Sequence, residues 1–299
     1  MREFLINEND SGQRLDKFIL KLMPALPKSL LYKGLRKNCV KLNKKHVKDG
    51  SVFLKEGDVL SLYFKDEFFA RHNNFKYVKP DIDIVYEDEN IIVVNKEVGV
   101  LSHSDENGKG NTLIDMICSY LYDKKEYDPS SELTFSPSLC NRLDRNTGGL
   151  IIAAKNSAAL REMNANIKNR CVRKFYTAIV CGQPQEIGDI NTRLSREDKV
   201  TKVSENGVSA LLSYRVVARK SEKSLVEIEL HTGRTHQIRA QFSHIGHPLW
   251  GDTKYGGTGK EYRQSLYATK LLFNIEKGNF FDYLDGVEMV ISSPLEKEF

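Results

Sequence analysis

Three β-rich runs, Phe175 to Val180, Ala210 to Val217 and Leu225 to Leu230, crowd the second half of this chain, alternating with one clear helical stretch, Ser157 to Asn166. So few helices cannot supply a crossover for every strand, which argues against a parallel βαβ fold. A hairpin of two buried strands is expected upstream, where Ile82 and Ile84, then Ile91 to Val94, flank the polar Glu87 to Asn90. The expected class is α+β, built on a largely antiparallel mixed sheet.

The first segment has a different period. Leu15, Phe18, Ile19 and Leu22 recur at helical spacing, and Pro24 to Pro27 ends that helix. A second helix is expected from Lys28 or Ser29, with Leu31 and Leu35 inward and Lys28, Tyr32, Lys33, Arg36 and Lys37 toward solvent. Val40 and Leu42 then alternate with Lys41 before a polar turn, Asn43 to Lys45, and Gly50 and Gly57 punctuate further short strands. From about Lys65 to Pro80 periodicity is weak, as suits a linker. The expected organisation is a small α/β domain at 1–65, a linker at 66–80 and a second domain at 81–299, and 299 residues suffice for two cores.

Charge is unevenly placed. Between Met1 and Lys65, 14 Lys and Arg stand against 7 Asp and Glu, so this segment carries +7 and the rest of the chain −2 of the net +5. Such a patch attracts phosphate backbones, with affinity that falls as salt rises; a solvated lysine-rich surface would have the same composition. The five cysteines, Cys39, Cys118, Cys140, Cys171 and Cys181, are scattered and include no C-x-x-C pair, so neither a disulfide framework nor a zinc knuckle is expected. With no leader-like start and no apolar run of membrane-spanning length, a cytoplasmic protein without membrane association is expected. A monomer is the default expectation.

Two segments carry chemistry. Cys140 to Lys155 reads CNRLDRNTGGLIIAAK, a charged loop running into an apolar strand, so Asp144 would be held at a strand edge. Taken alone, such an aspartate is more often a loop cap or salt-bridge partner than a catalyst. The second, LHTGRTHQIRAQFSHIGHPLWGD, offers Arg234, His236, Gln237 and Arg239 between a strand and a helix, a set suited to an anionic ligand or a carboxylate partner. Other patterns lead nowhere. HIGH at His244 to His247 lacks a K-M-S-K-S partner, and GGTGK at Gly256 to Lys260 lacks the first glycine and the closing Ser or Thr of a phosphate loop. His231, His236, His244 and His247 lack the nearby carboxylate or thiolate of a metal site, so no metal is expected.

Taken together, the blocks are specific. NRLDRNTGGL resembles the H-R-L-D-x-x-T-S-G-L signature of the RluA-type pseudouridine synthase family. VYEDENIIVVNKEVGVLSH, RKFYTAIVCG, LHTGRTHQIR, HIGHPLWGDTKYGG and LYATKLLF with its closing SPL resemble that family's other motifs, in order, from Val85 to Leu295. The run from Ser11 to Phe64 is similar to the small RNA-binding domain first known from the fourth small-subunit ribosomal protein. The resemblance implies a pseudouridine synthase fold with a central catalytic cleft, Asp144 as catalytic aspartate, Tyr176 as active-site tyrosine and Arg234 as the arginine paired with Asp144. It further implies substrate contacts from Arg142, Asn141, Thr147, His236, Gln237 and Arg239, and phosphate contacts from Lys28, Arg36, Lys37, Lys41, Lys44 and Lys45.

The implied reaction breaks a bond from ribose to a base nitrogen, turns the base and rejoins it through carbon, which calls for no cofactor. The carboxylate could attack the anomeric carbon or remove the neighbouring ribose proton to give a glycal; both routes are open on residue type, and family analogy favours the glycal. Tyr176 would offer a stacking face and a hydroxyl able to take the base-carbon proton. Three positions depart from the family pattern: Asn141 for histidine, Gly148 for serine and Glu97 for proline. Asn141 puts any base-flipping role there in doubt, while Gly148 is expected only to loosen its loop. The expected partner is RNA, large-subunit ribosomal RNA before transfer RNA. The competing reading is a non-catalytic RNA-binding protein on the same fold, and an RNA glycosidase would want a second carboxylate.

Overall fold

The computed structural model describes residues 1–69, 75–104, 111–198, 200–259 and 263–299. Residues 70–74 of the expected linker, and Lys260 of the GGTGK stretch, lie outside them.

The first unit comprises β1 (Arg2–Leu5), α1 (Leu15–Leu22), α2 (Lys28–Arg36), β2 (Val40–Leu42), β3 (Lys45–His46) and β4 (Val59–Leu62), with strand order β1-β4-β2-β3. Leu15, Phe18, Ile19 and Leu22 of α1 and Leu31 and Leu35 of α2 face one core with Val40, Leu60 and Leu62, because helical spacing puts them on single stripes. Gly34 lets α2 approach this core, since a Cβ there would lie 2.6 Å from the Phe64 ring. The β2–β3 turn places Asn43 and Lys44 both at positive φ, 51° and 66°, the geometry of a tight primed hairpin turn. Asn43 locks that turn to β4 by donating to Asp58 and accepting from the Val59 amide.

The second unit runs β5 (Asp83–Glu87), β6 (Ile91–Lys96), α3 (Leu113–Asp123), β7 (Ser138–Leu139), β8 (Gly148–Ala154), α4 (Ser157–Lys168), β9 (Val172–Cys181), β10 (Ile187–Glu197), β11 (Val200–Val203), β12 (Val208–Lys220), β13 (Lys223–Leu230), α5 (Gln237–His244), β14 (Leu266–Phe273), β15 (Glu288–Val290) and α6 (Leu295–Glu298). Among the described residues its sheet has eleven strands in the path β11-β10-β12-β13-β9-β14-β8-β6-β5, with β15 on β14 and β7 on β8. All pairings are antiparallel except β14 with β8. The central strands are covered on both faces, Ile92, Val94, Ile151 and Ala153 on one side and Ile91, Val93, Leu150 and Ile152 on the other, which explains why they read as unbroken apolar runs. Strand β12 alternates, burying Ala210, Leu212 and Tyr214.

The two units touch through polar groups. Asn9 donates to Glu132 at 2.7 Å and accepts from the Ser157 amide, and Thr134 donates to Asp10 at 2.6 Å. The stretch read as a linker is partly packed: Phe69 is buried against Phe4, and the Val78 amide donates to Ser119.

Candidate active site

Asp144 sits in the turn between β7 and β8, closed by the Thr147 amide donating to its own carbonyl at 3.0 Å. The turn is pinned from below by the segment that follows β6. The Ser102 hydroxyl donates to the Leu143 carbonyl at 2.9 Å, and the Gly99 amide to the Arg145 carbonyl at 2.9 Å. Lys96, 1% exposed, donates to the carbonyls of Glu97, Val100 and Arg145. Burial pushes its pKa down to about 8, against the opposing charge of Asp144. Lys96 is thus a buried clamp that does not face solvent, and no residue spacing in the sequence distinguishes that role.

Where the turn enters β8, Gly149 has φ +114°, and a Cβ would lie 2.1 Å from the Ala268 carbonyl oxygen. The neighbouring Gly148 lies beneath the Tyr267 ring, which a Cβ would meet at 2.3 Å. Tyr267 in turn donates to Asn95 at 2.8 Å. The expectation that Gly148 merely loosens the loop is therefore corrected: the missing side chain makes the seat for Tyr267.

The guanidinium on Asp144 belongs to Arg239, not Arg234. Arg239 Nη1 lies 2.9 Å from Asp144 Oδ2, while Nε and Nη2 hold both oxygens of Asp252 at 2.6 and 2.8 Å. The reason is helical geometry. Arg239 is in the first turn of α5 and faces inward among Ile238, Ala240 and Gln241, whereas Arg234 precedes the helix, is exposed, and donates its Nε to the Ser209 carbonyl at 3.2 Å. Burial opposes the charge on Arg239, and hydrogen bonds to Asp252 and Asp144 outweigh it, raising its pKa. A doubly paired arginine of this kind fixes both carboxylates in place.

Asp252 and Tyr255, for which the sequence suggested no role, complete the support. The Arg239 guanidinium stacks over the Tyr255 ring at 4.8 Å. The Tyr255 oxygen accepts from the Thr201 amide at 3.0 Å and lies 2.9 Å from His236 Nδ1. The other ring nitrogen of His236, Nε2, faces Asp144 Oδ2 at 3.8 Å. Burial pushes the His236 pKa down, Asp144 opposing and Arg239 assisting, so the ring is neutral at neutral pH. Both neighbours engage Oδ2, and Oδ1 has no hydrogen bond among the described residues.

A cavity of about 330 Å³ opens beside this carboxylate, lined by Asp144, Tyr176, Arg142, Lys174, His236 and Leu266 among others. Tyr176 is 5% exposed; burial, then the charge of Asp144, raises its pKa, so the unliganded cleft holds a protonated phenol. Removal of a base-carbon proton by this hydroxyl must therefore be coupled to loss of its own proton.

Several of the expected substrate contacts line the cavity while also bonded within the protein. Asn141 uses its amide on β8, accepting from the Ile152 amide at 2.8 Å and donating to the Leu150 carbonyl at 3.4 Å. Gln237 is buried and braces its own loop, accepting from Thr232 and the Arg234 amide and donating to the Leu211 carbonyl. Thr147 is 2% exposed and accepts from Gln264. Arg239 is turned to carboxylates. Arg142 and Arg234 stay exposed at the cavity, and Lys28, Arg36, Lys37, Lys44 and Lys45 are exposed on the first unit, with Lys41 half-buried against the Tyr63 ring.

Comparison with known proteins gives the family. The model of RNA pseudouridylate synthases matches residues 90–244, and that of the S4 domain matches 13–60. The chain belongs to the RNA pseudouridylate synthase family. It is 33% identical to an uncharacterized RNA pseudouridine synthase of Mycoplasma capricolum over 98% of both chains. It is 28% identical to the ribosomal large subunit pseudouridine synthase C of Vibrio parahaemolyticus, over 98% of this chain and 92% of that one. The structure of human RNA pseudouridylate synthase domain containing 1 shares the fold, with TM-score 0.56 and 24% identity over 72% of this chain and 84% of that one. The protein is thus an isomerase acting on RNA, with an α+β pseudouridine synthase fold behind an S4 domain. No helix among the described residues is long and apolar enough to cross a membrane.

Proposed function

We propose that this synthase isomerises uridines of large-subunit ribosomal RNA, as a cytoplasmic monomer, with Asp144 Oδ1 as the reacting oxygen. The observation that carries the reading is the carboxylate held by Arg239 through Oδ2, with Oδ1 free of hydrogen bonds among the described residues, at a cavity that Tyr176 also lines. In the proposed course Oδ1 removes the C2′ proton of a flipped nucleotide as the N1–C1′ bond breaks, giving a glycal and a uracil anion. The base turns, C5 bonds to C1′ as Asp144 returns the proton to C2′, and C5 then loses its proton while N1 gains one. Tyr176 gives the uracil a stacking face, and Arg239 keeps the Asp144 carboxyl group in position through these steps. The ribosomal target is supported by relatives named for the large subunit, of which the Vibrio protein is one.

The test is tritium release from total RNA labelled with 5-tritiated uridine and taken from cells lacking the gene. Wild-type protein is expected to release tritium, and Asp144→Asn to release none while binding the RNA within a few-fold. Wild-type-like release by Asp144→Asn would remove that residue from the mechanism. Mapping pseudouridines in cells with and without the gene is expected to show sites lost from the large ribosomal RNA; losses confined to transfer RNA would move the target.

A further inference from the structure

Strand β9 carries two kinds of cation. On one face Arg173 pairs with Glu229 at 2.7 Å and lies over the Phe175 ring, which Lys270 also covers before reaching Glu288. On the other face Lys174 shares its side with Tyr176, two residues on, and lines the same cavity. Lys174 is half-buried, and among the described residues it has neither an ion pair nor a hydrogen bond. Burial alone pushes its pKa down, with no carboxylate, Asp144 included, offsetting it. Cys140 and Ile167, which also line the cavity, supply no anion; burial raises the pKa of the Cys140 thiol to about 12.

An ammonium kept from water without a counter-charge is unfavourable until a ligand supplies one. The uracil ring enters the cavity neutral and carries charge only after its bond to ribose has broken, whereas each nucleotide of an RNA strand brings a full negative charge throughout. The cavity is also of the size that takes a drug-sized ligand. We propose that Lys174 binds a phosphodiester of the target strand beside the nucleotide lodged in the cavity, the counter-charge that completes this wall. The proposal rests on the reading of the cavity as the uridine site.

The same tritiated RNA tests it, with the concentration giving half-maximal release measured across a series of KCl concentrations. Lys174→Gln is expected to raise that concentration about tenfold and to reduce the slope of log affinity against log salt by about one, with Lys174→Arg keeping the wild-type slope. Thermal melting establishes that both variants are folded, and if Lys174→Gln is not, Lys174→Met takes its place. An unchanged slope in a folded neutral variant overturns the proposal. So does a loss confined to the rate at saturating RNA, which would turn Lys174 toward the base. Failure of the wild-type protein to release tritium would instead overturn the uridine-site reading.

Discussion

The cleft and the basic face of the S4 domain use charge in opposite ways. In the cleft Arg239 is 9% exposed at its side chain, Asp252 2% and Asp144 28%, and every contact has a fixed partner. On the S4 domain Lys28, Arg36, Lys37, Lys44 and Lys45 are exposed, and none of them has an ion pair among the described residues. The first arrangement gives a preorganised carboxylate; the second gives a mobile, screened field that follows a phosphate backbone. The difference teaches that the positive charge obvious in the sequence is exposed and unpaired, while the charge beside the proposed reacting carboxylate is buried and locally neutralised.

The largest expected effect comes from breaking the buried arrangement. Arg239→Met leaves Asp252 sealed without a partner and is expected to cost about 3–5 kcal/mol of stability by chemical denaturation. Displacement of Asp144 is expected to lower tritium release by at least about a hundredfold. The double variant Arg239→Met/Asp252→Leu removes the stranded charge and is expected to regain much of the stability but not the activity. An active double variant would show that the pair serves folding alone.

The middle effect tests the exposed face. Converting Arg36, Lys37, Lys44 and Lys45 together to Gln is expected to change the melting temperature little, because exposed substitutions seldom exceed about 0.5 kcal/mol each. RNA affinity is expected to fall, and its dependence on log salt to flatten by about three. An unchanged slope would return these side chains to plain solvation.

What the sequence made legible follows the same division. Helix α1 was readable from Leu15, Phe18, Ile19 and Leu22 because a stripe at helical spacing faces one core, and the β5–β6 hairpin because polar residues separate two apolar runs. Strands β10 and β11 were not: Ile187 to Val203 is largely exposed and charged, so no apolar period marks it. Asp144 and Tyr176 were legible through the family motif. The choice of Arg239 over Arg234 was not, because both stand in one ten-residue stretch and only the start of α5, with His236 at φ 53°, decides which turns inward. Asp252 was hidden for a related reason, its partner being a guanidinium 13 residues away, and Lys96 was legible only as structural or RNA-facing, because its partners are backbone carbonyls from two loops.

Arg234 sharpens the comparison most finely, since it stands in the cleft yet is built like the S4 face. Its guanidinium is exposed and held by one contact, Nε to the Ser209 carbonyl at 3.2 Å, with no carboxylate paired to it among the described residues. Arg234→Gln is therefore expected to leave stability unchanged, weaken RNA binding only a few-fold, and reduce the salt slope by about one. A loss of turnover as large as that of Arg239→Met would mean that Arg234 swings onto Asp144 once RNA is bound. In that event the pairing seen in the free protein would be a resting arrangement, and the line between fixed and mobile charge would run through this single loop.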